Sequence, residues 1–217
     1  MSKWQEEKRN VLETALKMSA CGMVVGTAGN ISVRLPGKRP LLAITPSSLP
    51  YDTLTPDDIQ IVDFDGEKVE GELRPSMETM LHIGIYKARK DTNAIIHTHS
   101  VYASAVSVTG QEIPPILEDQ VAFLGGGIKL ARYAPSGSRE LADAAVTALG
   151  DNNGVLLANH GTVGTGLTLR DAFTACELIE KTSRIYLLAL GTGKVNLLPE
   201  DVIALEKAAY DKLQGGS

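Results

Sequence analysis

Short apolar runs constrain this chain more than any other feature. "LLAITP" at 41–46, "NAIIHTHS" at 93–100 and "NGVLLANHG" at 153–161 are each one strand long. Around them lie stretches whose apolar residues recur at helical spacing, such as 3–21 and 168–191. Strands and helices mix without a strict βαβ repeat. That predicts one α/β domain over 1–217, with helices covering a mixed sheet. At 217 residues and a hydrophobic fraction of 43%, such a core can form.

Local punctuation places the other elements. Gly22 stops the first helix, and "GTAGN" at 26–30 turns into a strand. The Asp65–Gly66 pair predicts a hairpin inside "IQIVDFDGEKVEGE". Pro75 precedes a helix expected to begin near Ser76 and run to about 90. "VYASAVSVTG" reads as a helix, "GGGIKLARYA" as a glycine turn into a strand, and "SRELADAAVTALG" as a helix ending at Gly150. A last helix over 199–213 leaves a "QGGS" tail.

Charge narrows the function classes. The net charge is −5 and no block of five basic residues occurs, so a nucleic-acid footprint is missing. A small anionic substrate stays open, because a local site can be positive on an acidic protein. Cys21 and Cys176 are far apart and outside any CxxC, which predicts free thiols in a reducing compartment. The charged N-terminal stretch lacks a signal-peptide apolar region. No apolar run reaches the roughly 18 residues of a membrane helix. A cytoplasmic protein without membrane contact is expected.

Two of the four histidines, His97 and His99, stand one residue apart at the end of an apolar run. In a strand, residues i and i+2 share a face, so both imidazoles can meet one metal ion. His160 follows another apolar run and could complete a three-histidine set with open positions, the form of a catalytic metal site. The alternative is a pair of edge-strand histidines with His160 in a turn, since H-x-H alone is a weak motif. His82, inside the helix 76–90, reads as a surface or packing histidine. Glu78 opens that helix, where the dipole favours a carboxylate whether or not a metal is near. "GTAGN", "TPSS" at 45–48 and Ser76 offer backbone amides and hydroxyls of the kind that suit phosphate. "GTVGTG" and "GTGK" match neither nucleotide-binding glycine motif.

Taken in order, "GTAGNISVR", "TPSSLPY", "RPSMETMLH", "AIIHTHSVYASAVS" and "LLANHG" resemble the class II aldolase/adducin family, over about residues 8 to 205. The stretches look most like its fuculose-phosphate aldolase branch. The resemblance implies a three-layer α/β/α domain with a central mixed, largely antiparallel sheet. It also implies a homotetramer with active sites at subunit interfaces. His97, His99 and His160 would hold Zn2+, with Glu78 as ligand, proton-transfer base or both; Mn2+ or Co2+ would suit the same donors. The substrate phosphate would lie against Gly29, Asn30, Ser47, Ser48 and Ser76. The implied reaction cleaves a ketose 1-phosphate, a sugar phosphate, to dihydroxyacetone phosphate and a small aldehyde. Zinc would stabilise the enediolate and Glu78 would handle the proton, so no Schiff-base lysine is needed and Lys194 stays idle.

The departures bear on the aldehyde half. The fuculose enzymes carry a tyrosine after "IPAI", where "IPPILEDQVAF" offers Glu118 as the catalytic group. Met77 replaces a second serine of the phosphate site, and Tyr210 falls near the family's mobile C-terminal tyrosine without matching its register. Glu118 points toward methylthioribulose-1-phosphate dehydratases, which tend to have cysteine in place of Glu78. Ribulose-5-phosphate 4-epimerases use aspartate there, and 3-oxo-tetronate 4-phosphate decarboxylases keep glutamate. Glu78 therefore favours aldolase or decarboxylase. Three histidines with Glu78 argue against a non-enzymatic module of the adducin kind.

Overall fold

The structure is a computed structural model and describes residues 2–215. Its elements, in chain order, are α1 (Gln5–Ala20), β1 (Asn30–Leu35), β2 (Leu41–Ile44), β3 (Gln60–Asp63), β4 (Lys68–Glu70), α2 (Thr79–Ala88), β5 (Ala94–Thr98), α3 (Val101–Ser107), α4 (Glu118–Leu124), β6 (Lys129–Ala131), α5 (Arg139–Leu149), β7 (Gly154–Leu157), β8 (Gly161–Gly166), α6 (Leu169–Leu190) and α7 (Glu200–Gly215). Among the described residues the strands form one eight-stranded sheet ordered β4-β3-β2-β1-β5-β8-β7-β6. Only the β6–β7 pair is parallel, so the expected mixed, largely antiparallel sheet is present.

Central strands are buried on both faces, which is why their sequences read as unbroken apolar runs. Along β2, Leu41 and Ala43 pack with α1 and α6, while Leu42 and Ile44 pack with α2 and α5. The same alternation runs along β5. Ala94 and Ile96 face the first layer, and Ile95 faces the second. His97 follows Ile95 at spacing two and therefore points toward α2.

Several expectations shift. The helix foreseen from Ser76 begins at Thr79, because Ser76 is spent on a turn: its carbonyl accepts from Thr79 N at 3.1 Å. His160 does not end a strand. It sits in the 158–160 turn of the β7–β8 hairpin, after Asn159 with φ +55°. The last helix extends through Gly215; residues 216 and 217 of the "QGGS" tail lie outside the described residues. Two elements had no local signal. α4 lacks a Ser, Thr, Asp or Asn cap, and Gln120 Oε1 accepts from Ile116 N and Leu117 N instead. β8 is the glycine-rich "GTVGTG", a composition that argues against a strand. Helix α6 explains it: a Cβ on Gly164 would lie 2.6 Å from Cys176 Sγ and 2.8 Å from Ala172 O.

Candidate metal centre and active site

Antiparallel pairing assembles the site. Asn30 of β1 sits opposite His97 of β5, and Thr98 pairs with Thr162 of β8. The second pairing brings the 158–160 turn, with His160, alongside the end of β5. Helix α2 delivers Glu78 at its N-terminal cap position.

Glu78, His97, His99 and His160 each offer a ligand atom, all within 4.8 Å of one another. His97 Nε2 is 2.9 Å from His99 Nε2 and 3.1 Å from Glu78 Oε2. His160 Nε2 is 3.4 Å from Glu78 Oε1. His97 Nδ1–H donates to Thr162 O at 3.0 Å, which turns the bare Nε2 lone pair inward. Ligand atoms of the three rings and of the carboxylate thus gather in one small volume. A divalent cation there satisfies them all, and imidazole with carboxylate is a donor set for such an ion. Burial, followed by the facing His97 and His160 rings, pushes His99 down to about 4. Burial also lowers His160. Neutral imidazoles are the ligand form. Burial alone would raise the Glu78 carboxyl. The facing His97 and His160, with the hydrogen bond from Asn30 Nδ2, instead hold it well below the usual carboxylate range. Of the two readings of H-x-H, the geometry favours the metal.

The three loops expected to meet a phosphate also converge. Pro46 and Pro75 form an isolated antiparallel bridge, and Ser76 N donates to Thr45 O at 3.1 Å. Tyr51 OH donates to Gly29 O at 2.7 Å, pinning "GTAGN" to the loop after "TPSS". Gly29 is left-handed at φ +75°, and Ser48, although not glycine, has φ +61°. Ser47 Oγ and Ser48 Oγ lie 3.2 Å apart, and Ser76 Oγ accepts from Glu78 N at 3.2 Å. Asn30 is engaged elsewhere: its Nδ2 donates to Glu78 Oε2 at 2.9 Å.

Glu118 stands exposed at the start of α4 and outside the four-residue cluster of its own chain. Tyr210 is buried, and its hydroxyl donates to Asp151 O at 2.6 Å. Burial pushes it up to about 12, as suits a fixed structural group. Two residues of the site had no sequence signal. Ser136, in the loop before α5, donates to Glu78 Oε1 at 3.0 Å and lies 3.2 Å from His160 Nε2. His82 is neither a surface nor a simple packing residue, for it is fully buried and bonded at both ring nitrogens.

Residues 9–187 match the family model described as Class II Aldolase and Adducin N-terminal domain. The chain belongs to that family. It is 40% identical over 197 residues to a 5-deoxy-D-ribulose 1-phosphate aldolase of Bacillus thuringiensis serovar kurstaki, covering 91% of this chain and 92% of that one. It is 36% identical over 198 residues to an L-fuculose phosphate aldolase of Escherichia coli K12, covering 91% and 90%. Its fold superposes on a solved L-fuculose 1-phosphate aldolase with a TM-score of 0.91 at 33% identity, covering 97% and 98%. No helix among the described residues is long and apolar enough to cross a membrane.

Proposed function

We propose that this class II aldolase-family chain is a zinc-dependent enzyme that cleaves a ketose 1-phosphate to dihydroxyacetone phosphate and a small aldehyde. The observation that carries the reading is the convergence of three imidazoles and one carboxylate within 4.8 Å beside the Ser47–Ser76 loops. His97, His99, His160 and Glu78 would hold the ion. When bound, it supplies positive charge that stabilises the anion developing on the ketose oxygens as the carbon–carbon bond breaks.

The chain's own groups do the rest. Gly29, Ser47, Ser48 and Ser76, with the second hydrogen of Asn30 Nδ2, hold the phosphate and fix the three-carbon end. Asn30 ties down Oε2 of Glu78, so Oε1 is the atom that moves the proton on the dihydroxyacetone phosphate fragment. Ser136 holds that oxygen in place until substrate arrives. The substrates in the names of the relatives, 5-deoxy-D-ribulose 1-phosphate and L-fuculose phosphate, both give dihydroxyacetone phosphate and a methyl-ended aldehyde when split between C3 and C4. A short aldehyde of that kind is the proposed second product. The exposed Glu118 suits a role across a subunit boundary, in a homotetramer whose neighbouring chain completes the site.

The test is hydrogen–deuterium exchange into dihydroxyacetone phosphate, followed by NMR in D2O with zinc-loaded and EDTA-treated protein. Exchange that depends on the metal is expected, and cleavage of the two ketose phosphates can then be compared. A folded, metal-loaded protein without exchange would overturn the reading in favour of decarboxylase, dehydratase or epimerase chemistry.

A further inference from the structure

A chain of four hydrogen bonds runs inward from Glu78. Asn30 Nδ2 donates to Glu78 Oε2 at 2.9 Å, and Asn30 Oδ1 is 2.6 Å from His82 Nε2. His82 Nδ1 is 2.6 Å from Ser32 Oγ, which is 2.9 Å from Tyr86 OH. Asn30, Ser32, His82 and Tyr86 are all buried. Two spacings build the array. Glu78, His82 and Tyr86 follow one another at four-residue steps along α2 and so share a face. Asn30 and Ser32 stand two apart on β1 and so share a face of the sheet.

The direction of every bond follows from the first. A carboxylate only accepts, so Asn30 must turn its amine to Glu78 and its carbonyl to His82. His82 must then carry a proton on Nε2. Burial keeps the ring neutral by pushing it down to about 3, which leaves Nδ1 as an acceptor for Ser32. Tyr86 gives its single proton to Ser32 Oγ, the nearer partner, rather than to Asn93 O at 3.4 Å. Were His82 to lose its Nε2 proton, Asn30 could rotate and present its carbonyl to the carboxylate.

We propose that His82 is a positioning residue, which through Asn30 locks the Glu78 carboxylate in one orientation, with Oε2 tied to Asn30 and Oε1 turned to Ser136 as the oxygen that acts. The catalytic consequence rests on the aldolase reading; the orientation of Glu78 does not.

The experiment compares His82→Leu with His82→Gln, whose side-chain Nε2 reaches the place of the imidazole Nε2. The readouts are kcat and KM on the ketose 1-phosphates, the pH profile of kcat, and zinc affinity by chelator competition. In His82→Leu, kcat is expected to fall about 10–100-fold with KM changed less than about threefold, since misplacing a catalytic group by an ångström costs on that order. The pH profile of kcat changes shape as well, because the group that moves the proton is no longer held in one orientation. Zinc affinity falls about tenfold, as for loss of a partner behind a ligand. His82→Gln restores most of all three.

Loss of stability in both variants with no change in profile or zinc affinity would overturn the proposal, as would a glutamine variant no better than leucine. The zinc readout separates the two readings. A wild-type protein without aldol turnover would retire the assignment of function, while zinc binding weakened by leucine and restored by glutamine would still establish the positioning. Long-range ¹H–¹⁵N NMR adds a direct check on the metal-loaded wild type: His82 is expected as the Nε2–H tautomer, and an Nδ1–H tautomer would also overturn the proposal.

Discussion

Gly161→Ala tests whether the metal centre depends on the close approach of β8 to the end of β5. A Cβ at residue 161 would lie 2.3 Å from Thr98 O and 3.0 Å from His99 Cδ2. The first distance is roughly 1 Å inside ordinary van der Waals contact. Neither side can yield cheaply. Gly161 is paired to Leu157 across the hairpin, and Thr98 is paired to Thr162. Overpacking of this kind costs about 1–3 kcal/mol. For a chain of this size, each kcal/mol lowers the thermal midpoint by about 2–4 °C. The shift also falls on the segment carrying His99 and the turn carrying His160, where a site tolerates only about 0.5 Å. Zinc affinity should therefore fall about 10–100-fold. Thermal unfolding of EDTA-treated protein reads the first effect, and competition with a chromophoric chelator reads the second. A variant with the wild-type midpoint and wild-type zinc affinity would refute the reasoning.

Other expectations concern single groups. His97→Ala should lose bound metal and activity while keeping its helical circular dichroism; full turnover in the metal-free variant would remove the metal from the chemistry. Glu78→Gln should keep the metal on the three histidines at lowered affinity and, when metal-saturated, lose turnover by about 10²–10⁴-fold, the usual share of general acid–base catalysis, so unchanged turnover would take Glu78 out of the mechanism. His82 gives a pH prediction. The unfolded chain binds its proton below about 6.5 but the fold only near 3, so the unfolded state holds more protons between those values. Stability is therefore lost as pH falls below about 6.5, by about 1.4 kcal/mol per pH unit from this residue, and urea unfolding of His82→Leu should show a shallower slope than wild type. Tyr210→Phe removes the hydrogen bond to the Asp151 carbonyl and should cost about 0.5–1.5 kcal/mol in urea unfolding; an unchanged midpoint would show that the α7 anchor lies elsewhere.

Much of the fold was legible because it follows local rules. Continuous apolar runs marked β2, β5 and β7, and helical spacing marked α1, α5 and α6. Elements whose reason is non-local were not legible. β8 is glycine-rich because α6 lies against its backbone, a contact that its own residues do not encode. α4 is capped by a glutamine side chain reaching back to residues 116 and 117 rather than by a standard cap.

The site divides in the same way. Strand periodicity alone predicts that His97 and His99 share a face, although β5 ends at Thr98 and His99 stands one residue beyond it, and the helix-start position alone turns Glu78 toward the dipole. Sequence alone could not decide between a metal pair and two idle edge histidines. Pairing of β5 with β8 sets His160 beside them, and Thr162 O fixes the inward lone pair of His97, which together gather a donor set that could hold a metal. Only packing of α2 on β1 could show that His82 meets Asn30 and Ser32, or that Ser136 reaches Glu78. Periodicity governs which neighbours along one element share a face; contacts between elements depend on sheet register and helix docking, which are settled by burial over the whole chain.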